Sequence, residues 1–254
     1  MKVKPKKHLG QHFLNDRNIA SKIVDSLTYQ GYSSILEVGP GMGVLTRFLL
    51  QKNKLVFVAE IDTESVEYLQ HSYPELENRI IGDFLKLNFS DVFKEEFAVI
   101  GNFPYNISSQ IVFKILENRT QIPEMVGMFQ KEVAERIVAE KGSKIYGILS
   151  VLTQVYYTTE YLFTVHENVF TPPPKVKSAV IRLTRYREAL EGVDEALFVR
   201  IVKAGFNQRR KMLRNALKAL EIPDLLESHD FLNSRAEQLS VEDFIELTRL
   251  WKEK

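Results

Sequence analysis

At 254 residues the chain is long enough for one large domain, or for a large and a small one. Its 44% hydrophobic content fills a proper core, and 26% charged residues is ordinary for a water-soluble chain. Thirty-four Lys and Arg against 33 Asp and Glu leave a net charge of +1, so any nucleic-acid footprint must be local rather than a global field. The absence of cysteine excludes disulfides, thiolate zinc sites and a cysteine nucleophile.

In chain order, residues 1–8 form a basic arm expected to be mobile. Gly10–Asp16 leads into a helix capped by Asn15 or Asp16, with Ile19, Ile23 and Leu27 on one stripe. Ser34–Val38 is a short strand, Gly39-Pro40-Gly41-Met42-Gly43 a tight turn, and a helix follows with Leu45, Phe48 and Leu49 inside. A second strand, Leu55–Ala59, ends in Glu60-Ile61-Asp62, and Thr63 opens another helix. Ile80-Ile81 gives a third strand ending at Gly82-Asp83, and Phe97–Ile100 a fourth that runs into Gly101-Asn102-Phe103-Pro104-Tyr105-Asn106-Ile107-Ser108. Ile111, Ile115 and Leu116 then share a helix face, Met125–Phe129 is the fifth strand, and Lys131–Glu140 a helix. This alternation predicts an α/β fold with a mainly parallel, doubly wound sheet.

Beyond it the rhythm changes. Tyr146–Tyr157 fits a buried helix or a strand equally well. Phe170-Thr171-Pro172-Pro173-Pro174-Lys175 reads as a stiff polyproline segment, and Ala179, Ile181 and Leu183 alternate as a strand does. Past Glu188 only helical stripes remain: Phe198, Val202 and Phe206; Leu213, Leu217 and Leu220; then Phe231 to Trp251. The expected division is 1–187 for an α/β domain and 188–254 for a small all-α one.

Four strand ends in succession carry chemistry. Glycines 39, 41 and 43 let a ligand approach backbone N–H groups at a helix start. Glu60 lies roughly 20 residues on, where a carboxylate accepts ribose hydroxyls. Val44 stands where a dinucleotide fingerprint wants Gly or Ala, which argues against NAD. Asp83 can accept an N–H from an adenine ring, and together these residues describe a pocket for an adenosine without a pyrophosphate. At the fourth strand end, the Asn102 amide oxygen and a carbonyl near Pro104 can accept the hydrogens of an aromatic amine. Tyr105 offers a stacking face worth about 1–3 kcal/mol to a base. The five histidines show no metal-ligand spacing and no run approaches the roughly 18 apolar residues of a membrane span, so a cytoplasmic, metal-free protein is expected.

Gly10-Gln11-His12-Phe13-Leu14, Glu37-Val38-Gly39-Pro40-Gly41, Asn102–Ser108, Gln130-Lys131-Glu132-Val133, Phe170–Val176 and Gln208-Arg209-Arg210-Lys211 together give a specific resemblance over nearly the whole length. The chain resembles the KsgA-type ribosomal RNA adenine dimethyltransferases. The resemblance implies a Rossmann-like, seven-stranded S-adenosylmethionine-dependent methyltransferase fold with a small helical C-terminal domain. It implies cofactor contacts from His12, Leu14, Gly39, Glu60, Asp83 and Asn102, joined by Gly41 of the glycine turn. Asn102, Pro104 and Tyr105 take catalytic roles, with Phe170 on the opposite face of the target base. Position 12 is often Asn in this family, and Phe103 replaces the commoner Leu. The implied reaction is dimethylation of N6 on two adjacent adenosines in the 3'-terminal hairpin of 16S rRNA, within a small ribosomal subunit or its precursor, by a monomer.

On an ideal helix Arg210, Lys211, Arg214 and Lys218 share one stripe, and with Arg209 they make the expected RNA footprint. Rival readings are the sister group that dimethylates large-subunit rRNA, a ribosome-assembly checkpoint, and, more distantly, a nicotinamide-dependent dehydrogenase.

Overall fold

The computed structural model describes residues 3–252. Its elements run β1 (Phe13–Leu14), α1 (Arg17–Val24), β2 (Ser34–Val38), α2 (Thr46–Leu49), β3 (Leu55–Ala59), α3 (Thr63–Ser72), β4 (Ile80–Ile81), α4 (Phe89–Val92) and β5 (Phe97–Asn102). There follow α5 (Ser108–Glu117), β6 (Glu124–Gln130), α6 (Lys131–Ile137), α7 (Ile148–Gln154), β7 (Tyr157–Val165), β8 (Phe170–Thr171) and β9 (Ser178–Arg185). The C-terminal helices are α8 (Glu195–Asn207), α9 (Leu213–Ala216) and α10 (Val241–Leu250).

Seven strands form one sheet in the order β4-β3-β2-β5-β6-β9-β7. The strands β4, β3, β2, β5 and β6 are parallel, as the alternation predicted, and β9 pairs antiparallel with β6. Every residue of β2 is buried, as are residues 97–101 of β5 and 124–129 of β6. Unbroken apolar runs are what a sheet covered on both faces requires. The same reason turns the expected alternation in β9 into continuous burial from Ser178 to Ile181. The chain leaves β2 for β3 and β4 on one side, then returns to place β5 on the other side of β2. The carboxyl ends of β2 and β5 therefore form a switch point, where open α/β sheets bind ligands.

Asp16 caps α1, its carboxylate accepting from the Asn18 and Ile19 N–H groups at 2.8 and 3.0 Å. The N-terminal arm packs against the fold where it is described. Val3 is buried, Lys7–Leu9 forms a 3-10 turn, and Lys6 makes an ion pair with Asp62. Met1 and Lys2 of the expected arm lie outside the described residues. The proline segment also departs from one extended run: β8 opens it, pairing antiparallel with β1, and bends follow at Pro172 and Lys175-Val176.

The chain forms two compact units: residues up to Ala134 with Thr159–Arg185, and Glu135–Thr158 with Tyr186 onward. The second unit thus starts from different boundaries than 188–254 and includes α7. Tyr146–Tyr157 resolves into both alternatives. Gly147 N–H donates to Ser150 Oγ at 3.0 Å to start α7, and the run Tyr157-Thr158-Thr159 opens β7, as β-branched and aromatic residues favour. Helix α6 stops at Ile137 rather than Glu140, because Gln154 Nε2 donates to the Ile137 and Ala139 carbonyls, both at 2.9 Å.

In the same unit Phe198 and Val202 of α8 are buried, and Phe206 meets Tyr146 edge to face at 5.8 Å. The basic stretch is not one helix. Residues 208–210 are turn, Met212 bridges to Arg235, α9 begins only at Leu213, and Lys218–Leu220 is a 3-10 turn. Arg209 is engaged, its Nη2 donating to the Ser143 carbonyl at 3.0 Å, and Arg214 donates to Asn233. Arg210 and Lys211 are exposed. No helix among the described residues is long and apolar enough to cross a membrane.

Candidate active site

The turn after β2 places Gly39, Gly41 and Gly43 at φ of 67°, 55° and 77°, which suits residues without a Cβ. At Gly41 crowding adds to this, since a Cβ would lie 2.7 Å from the Phe13 ring. The Gly41 N–H donates to Glu60 Oε2 at 3.1 Å, and Glu60 Oε1 accepts from the Ile61 and Asp62 N–H groups, both at 2.9 Å. A carboxylate offers about four acceptor directions, so one remains for a ligand hydroxyl. Burial pushes the Glu60 carboxyl above its usual range, opposed by these three N–H donors.

At the end of β5, Asn102 Nδ2 donates to the His12 carbonyl at 2.8 Å. A carbonyl can only accept, so the amide nitrogen must face it and Oδ1 is left for another donor. The Tyr105 hydroxyl bonds Ser178 Oγ at 2.5 Å, and burial pushes that phenol upward in pKa, so it stays neutral and its ring stays fixed. The His12 ring stacks on Tyr105 at 5.2 Å and 27°, while His12 Nδ1 donates to the Pro172 carbonyl at 2.7 Å. Phe103, which replaces the commoner Leu, is buried edge-on to Phe129 at 5.0 Å and also contributes to the wall of the pocket.

Two adjoining cavities open on these strand ends. His12, Gly39, Gly41, Glu60, Asn102, Pro104 and Tyr105 line the first. Leu14, Glu37, Arg17, Arg47, Tyr68 and Tyr73 line the second, which shares Phe13, Gly39 and Asn102 with the first. Asp83 lines neither; its carboxylate accepts from the Leu85 N–H at 3.0 Å and lies 3.6 Å from Lys86 Nζ. Phe170 lines neither either. It is 3% exposed, packs in the hydrophobic core, and pairs through its backbone with Leu14. Phe170→Leu is accordingly expected to cost about 1 kcal/mol of stability and to leave methyl transfer within a few-fold of wild type. A loss as large as that of Tyr105→Ala would make the ring a base contact instead.

Sequence reasoning assigned no role to Glu37, although it lies in the quoted Glu37–Gly41 marker. It is 1% exposed, accepts from Thr46 Oγ1 at 2.6 Å, and burial, opposed by that bond, pushes its carboxyl up to about 8. Arg17, Arg47, Tyr68 and Tyr73 come from three helices or helix ends and carry no shared spacing that could have flagged them. Arg47 Nε is buried with no hydrogen-bond partner. Among the described residues no cluster of His, Cys, Asp and Glu is placed to hold a metal ion.

The family model described as ribosomal RNA adenine dimethylase matches residues 2–253. The chain is 61% identical over 250 residues to the ribosomal RNA small subunit methyltransferase A of Flavobacterium johnsoniae, covering 98% of this chain and 96% of that one. It is 58% identical over 252 residues to the protein of the same name from Cytophaga hutchinsonii, covering 98% of both. Among solved structures it is similar to a dimethyladenosine transferase from Plasmodium falciparum (TM-score 0.79, 27% identity, 93% and 96% of the two chains covered). It is also similar to the 23S rRNA methyltransferase ErmE (TM-score 0.70, 26% identity, 95% and 100% covered). A seven-stranded sheet with its glycine turn and amide at the switch point, and a match over nearly every residue, lead to one assignment: the chain belongs to the ribosomal RNA adenine dimethylase family.

Proposed function

We propose that this enzyme dimethylates N6 of two adjacent adenosines in the 3'-terminal hairpin of 16S rRNA, in a small ribosomal subunit or its precursor, with S-adenosylmethionine as methyl donor. The observation that carries the reading is the Asn102 amide, turned by the His12 carbonyl so that Oδ1 is left as an acceptor in the cavity that Tyr105 also lines.

The residues of the two cavities fit this cofactor. Glu60 keeps an acceptor for ribose hydroxyls, and Ile61, 54% exposed at the rim, offers an apolar wall to a purine. The unpartnered Arg47 Nε and the buried Glu37 offer a cation and an acid to an amino-acid end. Asp83 lines neither cavity, and an adenine contact from it is the part of this reading with no support from their lining. When bound, S-adenosylmethionine supplies a methyl group activated on a positively charged sulfur.

The chain's own task is then to orient an unwilling nucleophile. An adenine amine delocalises its lone pair into the ring. Asn102 Oδ1 and a carbonyl beside Pro104 accept its two hydrogens and favour a tetrahedral nitrogen whose lone pair points into the cavity. Orientation of this kind can be worth about 7–11 kcal/mol. Tyr105 stacks on the base, which helps offset the few kcal/mol needed to flip it from its helix. The alkylated nitrogen gives its proton to water, so no general base is required.

Arg210 and Lys211 are proposed to meet phosphates, with Arg209 and Arg214 holding the surrounding turns while adding charge. Arg210→Glu with Lys211→Glu is expected to weaken RNA binding and to flatten its log–log salt slope by about 1 per lost phosphate contact. Cofactor affinity should stay unchanged, and a fall in it would refute the assignment.

The similarity to ErmE keeps large-subunit rRNA as the second reading. Small and large subunits from cells lacking this protein, offered as methyl acceptors, separate the two. Dimethyladenosine should form in the small subunit alone; label confined to the large subunit would favour the second reading.

A further inference from the structure

We propose that Asp62 is a positioning residue for the Asn102 amide, acting through a strap formed by residues 6–13. The proposal rests on the role given to Asn102 above. Asp62 stands at the N-cap of α3, where an Asp ordinarily accepts from its own helix, yet its side chain makes no cap hydrogen bond. The carboxylate has no exposed surface and accepts from Lys6 Nζ, from Gln11 Nε2 at 3.3 Å and from Ser65 Oγ at 2.9 Å. Gln11 works in both directions, its Oε1 accepting from the Lys6 N–H at 2.7 Å. Burial pushes the Asp62 carboxyl up, but these hydrogen bonds outweigh it and hold the group below its ordinary value.

The residue after Gln11 is His12, whose carbonyl takes Asn102 Nδ2 at 2.8 Å. On either side the strap lies tight against the strand ends. A Cβ on Gly10, at φ 66°, would come within 2.6 Å of Asn106 Oδ1, and Phe13 covers Gly41. Between Lys6 and Phe13 the only regular structure is the turn at Lys7–Leu9. The pairing of β1 with β8 and the His12 bond to Pro172 hold the far side of the His12 carbonyl; on its N-terminal side the strap is tied to the fold by side-chain bonds, and the one buried charge among them is Asp62. Once that carbonyl moves, the Asn102 amide can turn over and present Nδ2 to the amine, a donor facing a donor.

The test uses the full chain, single-turnover methyl transfer to undermethylated small subunits, and the variants Asp62→Asn, Asn102→Ala and their double. Asp62→Asn is expected to slow transfer about 10- to 100-fold, as a small misplacement of a catalytic group does, with KM for the subunit unchanged. In the Asn102→Ala background the same substitution should cost nothing further, because coupled residues are not additive. Hydrogen exchange on the unliganded protein should quicken at residues 10–13 and not in β2 or β5. Lys6→Met, at a part-exposed position, provides a second variant should Asp62→Asn fold poorly, and should shift both readouts the same way. Wild-type rates in Asp62→Asn, or an equal loss in both backgrounds, would overturn the proposal. Wild-type transfer by Asn102→Ala alone would instead overturn the role of the amide, and this proposal with it; the exchange data would still report whether Asp62 holds the strap.

Discussion

Asn102→Ala is expected to lower kcat for adenine methylation by about 10²–10³-fold, the usual cost of removing one preoriented polar group from an active site. The bond from Nδ2 to the His12 carbonyl at 2.8 Å fixes which way the Asn102 amide faces and leaves its oxygen as the acceptor for a ligand. Asn102→Asp should not rescue the loss. A carboxylate keeps the acceptor but sets a second acceptor against the His12 carbonyl, so the side chain would leave its position. Rates measured with small subunits lacking the modification check both variants. Activity of Asn102→Asp near wild type would show that the His12 contact is not what aims the group.

Glu37→Gln is expected to stabilise the unliganded protein by an amount that grows as pH rises from 4.5 to 8. Burial pushes the Glu37 carboxyl up to about 8, against 4.5 for an exposed one, with the Thr46 bond opposing and the Glu60 charge adding to the rise. Below pH 4.5 both folded and unfolded chains hold the proton, and Glu37 makes no difference. Between 4.5 and 8 the unfolded chain has lost it while the folded one keeps it, so stability falls as pH rises and levels off above 8. One pH unit is worth about 1.4 kcal/mol, which sets an upper bound of about 5 kcal/mol on the gain of the glutamine variant at pH 8. Thermal melts at pH 5 and pH 8 check it: the two proteins should be nearly alike at the lower pH and several degrees apart at the higher. A buried acid that weakens the empty protein fits a cavity whose proposed ligand brings positive charge. The same variant should therefore bind S-adenosylmethionine more weakly.

Much of this site was legible because its parts are local. A strand, a glycine turn and a helix start are contiguous in Ser34–Leu49, and Glu60 and Asn102 close strands marked by apolar runs. The family resemblance then joined these pieces. What stayed hidden depends on partners distant in sequence. Lys6 and Asp62 are 56 residues apart, so the N-terminal segment reads as a solvated charge run until the fold supplies a buried carboxylate. Phe170 looked like a base-stacking ring, but pairing of β8 with β1 turns it into the core. The stripe of Arg210, Lys211, Arg214 and Lys218 assumed a continuous helix. Met212 bridges to Arg235 and so delays the start of α9, a tertiary preference that helical periodicity cannot reveal. The antiparallel insertion of β9 beside β6 was likewise beyond a local pattern, since alternation shows that a strand exists and not where it pairs.

A crystal structure with S-adenosylhomocysteine tests the central claim most directly. The ribose hydroxyls should lie on Glu60, the amino-acid end should reach Glu37 and Arg47, and the sulfur should face the free Oδ1 of Asn102. A ligand bound away from the β2 and β5 strand ends would contradict the account.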